Sequence, residues 1–558
     1  MSTERWVAIR ILLFVISLIV VAGYLNILFN DWNNDFYNAI QNNQPDIYFY
    51  QLVVFSVLAG FYILAAVYRK YYLQMLEIRW RRWLTVYLLN EWLEFQTFYR
   101  LQFQSGVTDN PDQRIAEDVK MFVALTLRLG SELLGVVITL MSFVVILWSL
   151  SGSINVPLSF LPSSWGIDSL AIPGYLVWVA LIYSVVGNVL AHRIGRVLIA
   201  IRYNQQRYDA DFRFSLVRLR ENAESVVLSA GEEVERHGLL RRLDVVVANW
   251  RQIMGYEKRL NWFSDSFAQI AVIFPYLVAA PRFFSGKIQL GGLMQIASAF
   301  GQVQGAMSWL VDVYPLFSEW RATVERLIEF RRGMVLARRV AAVSGVRHRQ
   351  GDDEAFCAEG VLLRLPEQQE SFLAVDLRIE AGESTLISGP SGSGKTTFFR
   401  AVAGVWPFGE GVFWLPFAGR LMFLPQKPYM PIGRLRAAIV YPGVGGAFSD
   451  GEICQVLEEC GLAALCGILD EESHWANRLS PGEQQRIAVA RVLLHKPDWA
   501  FLDEATSACD LETEQRLYQA LRQRASGTTL ISISHREEVA LFHRRHFVVE
   551  NQRLVERR

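Results

Sequence analysis

The residues with the clearest chemistry form one run, Gly389-Pro390-Ser391-Gly392-Ser393-Gly394-Lys395-Thr396-Thr397, which follows an apolar strand and opens a helix. Glycines at this spacing let backbone N–H groups close around phosphate, and the helix N-terminus adds its positive end. Lys395 is placed to neutralise the β and γ phosphates, and the Thr396 hydroxyl is placed to hold Mg²⁺. The run therefore predicts a site for a nucleoside triphosphate and its magnesium ion.

A second run ends in two acids. The apolar residues Trp499–Leu502 are followed directly by Asp503 and Glu504. Asp503 suits contact with the Mg²⁺ shell, and Glu504 is placed to orient and deprotonate the attacking water. Two acids after a strand can instead cap the next helix, but the strand–loop–helix context favours catalysis.

Between these two motifs lies Leu479-Ser-Pro-Gly-Glu-Gln-Gln-Arg486. We predict that Ser480 is a helix N-cap, that Pro481 is the first helical residue, and that Glu483 is the reciprocal partner of a capping box. The Gly482 N–H then remains free to meet a γ-phosphate. With the phosphate loop before it and the acidic strand after it, this run is identified as the signature of an ATP-binding-cassette (ABC) ATPase.

Three further positions match motifs of that family. Gln426 matches the Q-loop, Asp510 ends a match to the D-loop, and His535 matches the switch histidine. The resemblance implies that Gln426 and His535 act in catalysis beside Glu504, and that Gln426 also contacts Mg²⁺. The residues that it places at ATP, beyond the phosphate loop, are Ser480, Gly482, Glu483 and Asp510.

The elements that position these motifs are short β-type runs separated by helical patterns. The runs are Ser384–Ser388, Leu421–Leu424, Trp499–Leu502 and Thr529–Ile533. Strands that alternate with helices predict an α/β domain with a largely parallel sheet. We place this ATPase domain at residues 355–558, after a linker at 331–354 that is rich in Arg and small residues.

The rest of the chain is apolar. Of 558 residues, 52% are hydrophobic and 20% charged, which excludes a disordered chain, and the 55 basic residues balance the 55 acidic ones, which gives no support for nucleic-acid binding. Five uncharged runs reach roughly the 17–25 residues that a membrane-spanning helix needs. They are Ile11–Phe29, Gln51–Tyr68, Leu133–Leu150, Ser169–Ala191 and Ile288–Val311, and a shorter sixth run is Ser266–Pro281. We therefore predict a polytopic α-helical membrane domain of six spans at residues 1–330.

The charges between these runs predict the orientation of the domain. The segment Arg69–Arg128 carries nine Lys or Arg and Arg193–Arg259 carries thirteen, whereas Asn30–Tyr50 carries none. Because cytoplasmic segments hold the excess of Lys and Arg, both long segments and both termini are predicted to be cytoplasmic in a cell inner (plasma) membrane. The second segment lacks proline, so spans four and five are expected to continue as helices into the cytoplasm.

Several membrane-domain motifs resemble the SbmA/BacA-type permease domain, which also occurs fused to a cassette in bacterial ABC proteins of the YddA type and is similar to peroxisomal subfamily D half-transporters. These motifs are Asn30–Asn38, Glu77–Leu84, Asn110–Asp118, Ser298–Phe300, Ser308-Trp309 and Arg326-Leu327. The resemblance implies a type IV exporter-like fold, a homodimer in the lipid bilayer, and ATP with Mg²⁺ as cofactors. It also implies that Asn110–Asp118 and Glu221–Glu232 rest on the cassette.

The favoured function is ATP-driven transport with alternating access. The alternative is a proton-coupled SbmA/BacA-like permease whose ATPase domain is regulatory, and a cassette ATPase acting on ribosomes or DNA is a third, which six spans disfavour. Relatives handle peptides, hydrophilic solutes or acyl compounds, so the solute, its direction and the choice between homodimer and heterodimer stay open. The adenine-stacking residue is open as well, because the matching position is Leu365 and Phe372 is the alternative.

Overall fold

Two units make up the chain in a computed structural model, which describes residues 3–103, 110–157, 169–342, 345–351, 353–365, 371–416, 419–443 and 446–557. The first unit comprises Met1–Leu89 and Asn110–Phe330, and the second comprises Asn90–Asp109 and Arg331–Arg558. No sequence pattern predicted that Asn90–Asp109 belongs to the same unit as the ATPase motifs.

Long helices build the first unit. The helices of this half of the chain are α1 (Thr3–Gln41), α2 (Pro45–Leu93), α3 (Thr97–Arg100), α4 (Pro111–Gln113), α5 (Val119–Ser151), α6 (Tyr175–Glu221), α7 (Ala223–Leu228), α8 (Glu232–Phe284), α9 (Leu290–Asp312) and α10 (Tyr314–Ala342). Among the described residues, five helices are long and apolar enough to cross a membrane. They lie within Glu4–Gln41, Pro45–Phe103, Pro111–Ser151, Tyr175–Glu221 and Glu232–Phe284. Helix α9 does not meet that test, so the sixth span remains a prediction.

Helix α9 nevertheless lies inside the bundle, where it packs against α1, α5, α6 and α8. Its residues Ile296 and Phe300 are fully buried with Phe143 and Leu147 of α5 and Leu176 of α6. Polar side chains such as Gln295 and Gln302 interrupt the apolar stretch of α9 and lower its hydropathy.

The helices at the predicted fourth and fifth spans are longer than their apolar runs, and the start of the fourth differs from the prediction. Helices α6 and α8 continue far beyond their apolar runs, and the chain between them forms the short helix α7. The run Ser169–Ala191 is not one helix, because Ser169–Pro173 (β2) pairs antiparallel with Ser153–Pro157 (β1). Helix α6 begins only at Tyr175, after Gly174 turns the chain with φ +64°.

Asp118 joins the segment before α5 to α10 through polar contacts. It ends a π-helical turn at Arg114–Asp118 and is 3% exposed. Its carboxylate accepts hydrogen bonds from Arg114 (2.9 Å) and from Nε and Nη2 of Arg326 (2.9 and 2.7 Å). One turn before Arg326, Thr323 donates to Met121 of α5 at 3.4 Å. Two motifs noted separately in the sequence therefore meet in one ion-pair cluster.

The second unit is organised around a mixed sheet. Its strands are β3 (Gly345–Gln350), β4 (Phe356–Arg364), β5 (Ser371–Ile379), β6 (Thr385–Ser388), β7 (Gly409–Leu415), β8 (Leu421–Leu424), β9 (Gly433–Arg434), β10 (Glu472–Ser473), β11 (Trp499–Asp503), β12 (Thr529–Ile533), β13 (Arg545–Glu550) and β14 (Arg553–Glu556). Its helices are α11 (Lys395–Val402), α12 (Leu435–Val440), α13 (Asp450–Glu459), α14 (Trp475–Arg478), α15 (Pro481–His495) and α16 (Leu511–Arg524).

The strand order is β3-β7-β4-β5-β14-β13-β6-β12-β11-β8 in one ten-stranded sheet of the described residues. The four strands predicted from the sequence are β6, β12, β11 and β8, and they are parallel neighbours. The antiparallel pairs of β4 with β5 and β7 were not predicted. The expected linker at 331–354 was wrong, because α10 runs through to Ala342 and β3 then pairs with β7.

Within the second unit, the segment that follows α2 packs against the ATPase sheet region. Asn110–Asp118 belongs to the first unit, whereas Phe103 packs edge-on against Trp406 and Phe408, with ring centroids 5.4 and 5.6 Å apart. Arg338 of α10 holds the same segment by donating to Thr97 Oγ1 at 3.2 Å. This contact was not predicted, because Phe103 lies outside any polar run.

We predict that Asp118→Asn destabilises the protein by about 3 kcal/mol, because it removes one partner of a buried ion pair and leaves arginine unpaired. The matched control is Glu325→Gln, which breaks the exposed pair between Arg321 and Glu325 (72% and 57% exposed) and should change stability by less than about 1 kcal/mol. Thermal unfolding of the detergent-solubilised protein measures both. Equal midpoints for the two variants would contradict the assignment.

Candidate functional site

The phosphate loop joins β6 to α11 and depends on glycine at both ends. Gly389 and Gly394 have φ of +147° and +93°, a region that side chains disfavour. A Cβ at Gly394 would lie 2.5 Å from the ring of Phe372, and one at Gly389 would lie 3.0 Å from Val549. The glycines therefore allow the loop backbone to lie close to the sheet. The loop ends at the N-terminus of α11.

Lys395 lies at the first position of α11 and is 4% exposed. Its Nζ donates to the carbonyl oxygens of Gly389 (2.9 Å) and Pro390 (2.8 Å). Burial lowers its pKa, and the nearby carboxylates of Glu504 and Asp503 oppose that shift. Ser393 Oγ in the same loop is buried without a hydrogen-bond partner among the described residues. A phosphate oxygen would accept a hydrogen bond from the Ser393 hydroxyl and another from the third hydrogen of the Lys395 ammonium group. The loop therefore fits a triphosphate.

Thr396 and Asp503 form the part of the site that fits Mg²⁺. Thr396 Oγ1 donates to Asp503 Oδ1 at 3.3 Å, and Asp503 is 3% exposed at the end of β11. Burial raises the pKa of Asp503, the charge of Glu504 raises it further, and the hydrogen bond from Thr396 opposes both. A hydroxyl beside a buried carboxylate is an oxygen donor set that Mg²⁺ prefers. The ion would supply positive charge to the phosphate oxygens.

Glu504 lies beside both predicted catalytic partners and accepts a hydrogen bond from Gln426. Its Oε2 accepts from Gln426 Nε2 at 2.7 Å, and its Oε1 lies 3.0 Å from His535 Nε2. The backbone of Glu504 has φ +47°, and its N–H donates to Ile533 O at 2.9 Å. The structure thus brings Gln426, Glu504 and His535 together. The amide of Gln426 is directed to the carboxylate, and its contact with Mg²⁺ stays a prediction.

The predicted capping box is present at the start of α15. Ser480 Oγ accepts from the Glu483 N–H at 3.3 Å, and Glu483 Oε2 accepts from the Ser480 N–H at 2.8 Å. Hydrogen bonds to the Glu483 carboxylate from the Ser480 hydroxyl (2.8 Å) and from the Ser480 N–H lower the pKa of Glu483. A Cβ at Gly482 would lie 3.0 Å from Ala508 O, which explains the glycine. In the described part of the chain, the Gly482 N–H has no hydrogen-bond partner, as the prediction requires.

Asp510 lies where the D-loop meets α16, and its carboxylate caps that helix. Oδ1 accepts from the Thr513 N–H at 2.8 Å, and Oδ2 accepts from Thr513 Oγ1 at 3.0 Å. Both oxygens of Asp510 therefore have partners in their own helix. Contact of Asp510 or Glu483 with ATP stays a prediction.

Sequence reasoning missed an ion pair that joins the D-loop to the switch histidine. Arg536, next to His535, donates to the carbonyl oxygens of Ser507 (3.1 Å) and Cys509 (3.0 Å) and to Glu514 Oε2 (3.0 Å). Glu514 is 2% exposed and also accepts from Thr506 at 2.6 Å. Two features of the sequence could have indicated this ion pair: a basic residue directly after the switch histidine, and an acidic residue four positions after Asp510.

The first unit contains a cavity of about 920 Å³ between α2, α5 and α9. Cations line one part of it (Arg69, Lys70 and Arg128), and small or apolar side chains line most of the rest. Two carboxylates line the wall, Glu77 and Glu132, and Glu132 accepts hydrogen bonds from Arg128 at 2.9 Å and from Trp309 Nε1 at 3.0 Å. The cavity can accept a solute that has both polar and apolar parts.

Family models cover both units. The model described as ABC transporter transmembrane region 2 matches residues 1–284, and the model described as ABC transporter matches residues 372–507. The inner membrane ABC transporter ATP-binding protein YddA of Escherichia coli is 30% identical, over 95% of this chain and 92% of YddA. ABC transporter D family member 2 of Arabidopsis thaliana, a chloroplastic protein, is 32% identical, over 95% of this chain and 81% of that protein.

A solved structure has the same fold. A bacterial Atm1-family ABC exporter with ATP bound aligns with a TM-score of 0.74 over 98% of this chain and 94% of that one, at 21% identity. The predicted fold class, a helical membrane domain with an α/β P-loop ATPase domain, is confirmed.

Helices that can cross a membrane, joined to a P-loop ATPase site on the same polypeptide, define a membrane-bound ATP hydrolase. The chain belongs to the ABC transporter family. It is a half-transporter, with one membrane domain and one ATPase domain, and ATP hydrolysis drives its transport activity.

We predict that Glu504→Gln lowers the rate of ATP turnover by about 10²–10⁴-fold while ATP binding is retained, because the amide keeps the shape but cannot accept the proton of the attacking water. ATPase assays and equilibrium binding of labelled ATP to the same preparation measure the two effects. Near-normal hydrolysis by this variant would show that Glu504 is not the general base.

Proposed function

We propose that two copies of this chain form a homodimer, in which each ATP is bound between the phosphate loop of one protomer and the signature helix of the other. The single observation that carries this proposal is the free Gly482 N–H at the N-terminus of α15. A helix N-terminus with an open donor attracts an anion. In the described residues, Ser480 and Glu483 are hydrogen-bonded to each other at the start of α15. We therefore infer that the phosphate at this helix end belongs to the ATP bound by the partner protomer.

In this dimer, Lys395, Ser393 and the loop N–H groups hold the phosphates, and Thr396 with Asp503 holds Mg²⁺. Glu504 deprotonates the attacking water, and its carboxylate is oriented by Gln426 and His535, which lie 2.7 and 3.0 Å away. Because Gln426 donates to that carboxylate, a movement of the Q-loop changes the position of the base. This contact gives ATP hydrolysis a direct link to the loop that follows β8.

The membrane domain is proposed to be of the SbmA/BacA type, with six spans and both termini on the cytoplasmic side of the inner membrane. Support comes from its motifs and from the charge difference between the loops. The cavity between α2, α5 and α9 is proposed as the place where the solute binds during alternating access. Its chemistry admits a peptide, a hydrophilic solute or an acyl compound.

The shared site predicts complementation between two inactive variants. Lys395→Ala damages the phosphate loop, and Ser480→Arg blocks the signature helix, so each homodimer has two damaged sites. A mixed dimer joins the intact Lys395 of one chain to the intact Ser480 of the other and regains one whole site. Mixed dimers purified through two different tags should recover ATPase activity and trap about one nucleotide per dimer.

The control for this experiment is a mixed dimer of two differently tagged wild-type chains. If that control hydrolyses and traps ATP and the mixed variants do neither, the shared-site homodimer is refuted. Recovery in either single-variant homodimer would equally contradict it, because neither contains an intact pair.

The energy source is tested with the Glu504→Gln chain in liposomes. We expect no accumulation of solute by this variant even under an imposed pH gradient, because the transport step requires hydrolysis. Wild-type protein with ATP is the positive control, and a protonophore should leave its uptake intact. Accumulation by the variant that a protonophore abolishes would favour the proton-coupled permease.

A further inference from the structure

Gln485 lies one turn inside the signature helix α15 and is 3% exposed. Its Nε2 donates to Gln426 O (3.0 Å), to Ser507 Oγ (3.1 Å) and to Glu504 O (3.3 Å). Its Oε1 accepts from the Ala508 N–H at 2.8 Å. One buried side chain therefore contacts the Q-loop, the residue that carries the catalytic carboxylate, and the D-loop.

Only a primary amide of this length can make these contacts together. Two amide hydrogens are shared by three oxygen atoms, while the carbonyl oxygen faces a backbone N–H. A glutamate would place a carboxylate against those three oxygens, and a hydrophobic side chain would leave all of them without a donor. The relative positions of the three loops thus depend on a single side chain.

The neighbouring glutamine shows that burial on α15 is not enough for this role. Gln484 is 8% exposed, and its Nε2 donates to the carbonyl oxygens of Ala476 and Leu479, both at 2.8 Å. These contacts hold the segment before the helix and do not reach the three loops. Gln484 is therefore a matched control in burial, size and hydrogen bonding.

In the proposed dimer, the residues that Gln485 contacts and the residues at the start of α15 belong to different ATP sites. The Q-loop and Glu504 belong to the site of their own protomer, whereas Ser480 and Gly482, at the start of the same helix, close the site of the partner. We propose that Gln485 is a positioning residue that couples the two ATP sites of the dimer, a proposal that rests on the shared-site dimer above. Movement of the Q-loop or Glu504 in one site shifts α15, and with it the signature that faces the other site.

The complementing mixed dimer tests this coupling, because it has one working site with a known phosphate-loop side and a known signature side. The Ser480→Arg chain supplies the phosphate loop, and the Lys395→Ala chain supplies the signature. Gln485→Met is placed in one chain at a time. The readouts are the maximal ATPase rate and the ATP concentration at half that rate, measured on doubly tagged dimers.

On the phosphate-loop side, Gln485→Met should lower the maximal rate by about tenfold and leave the half-saturating ATP concentration within about twofold, because Glu504 shifts while Lys395 is untouched. On the signature side, it should lower the rate by at least about fivefold, although every residue around the working phosphate loop is wild type. Gln484→Met on the phosphate-loop side should retain the parent rate. Because Gln484→Met also removes a buried amide from α15, a general loss of stability would lower the rate of this control as well, so its retained rate separates the role of Gln485 from such a loss.

Retention of the parent rate with Gln485→Met on the signature side would overturn the proposal, because the residue would then serve its own site alone. An inactive parent mixed dimer would instead refute the shared-site dimer, so the two failures are distinguishable. Where Gln485→Met does not yield folded dimers, Gln485→Glu replaces it. That variant keeps the acceptor for the Ala508 N–H, lacks the donor, and should show the same loss on the signature side.

Discussion

Two adjacent carboxylates at the end of one buried strand impose the constraint on which the ATPase site depends. Asp503 and Glu504 would repel each other if both pointed the same way. Asp503 continues the strand and faces Thr396, whereas the positive φ of Glu504 turns its side chain toward Gln426 and His535. The strained backbone is held by the hydrogen bond from the Glu504 N–H to Ile533 O. The two carboxylates thus face different partners, Asp503 toward the Thr396 hydroxyl and Glu504 toward Gln426 and His535.

The sheet order supplies the groups that this constraint requires. The phosphate loop follows β6, His535 follows β12, Glu504 follows β11 and Gln426 follows β8, and these four strands are parallel neighbours in that order. Loops after parallel neighbours meet at one edge of a sheet. Residues that lie more than one hundred positions apart in the chain therefore come within hydrogen-bonding distance through strand order alone. The antiparallel strands on the other side extend the sheet without adding a member to this cluster.

Sequence patterns predicted the parts of this structure that local chemistry decides. The phosphate loop, the capping box at Ser480 and the four central strands are encoded by contiguous residues, and the structure has them where the patterns put them. Contacts that depend on distant parts of the chain were not predictable in the same way. Phe103 meets Trp406 and Arg536 meets Glu514 because of tertiary folding, and no local period marks either pair. The predicted linker at 331–354 was wrong because a composition rich in Arg and small residues is also compatible with a helix, and α10 continues to Ala342.

The capping of α15 has a consequence for how long a closed dimer lasts. Pro481 has no N–H, the Glu483 N–H is bonded to Ser480 Oγ, and the Gln484 N–H is bonded to Ser480 O, so Gly482 provides the one free donor of this helix end in the described chain. In the proposed dimer, loss of the terminal phosphate therefore removes the hydrogen bond that the Gly482 N–H makes, and the rate of hydrolysis sets how long the dimer stays closed.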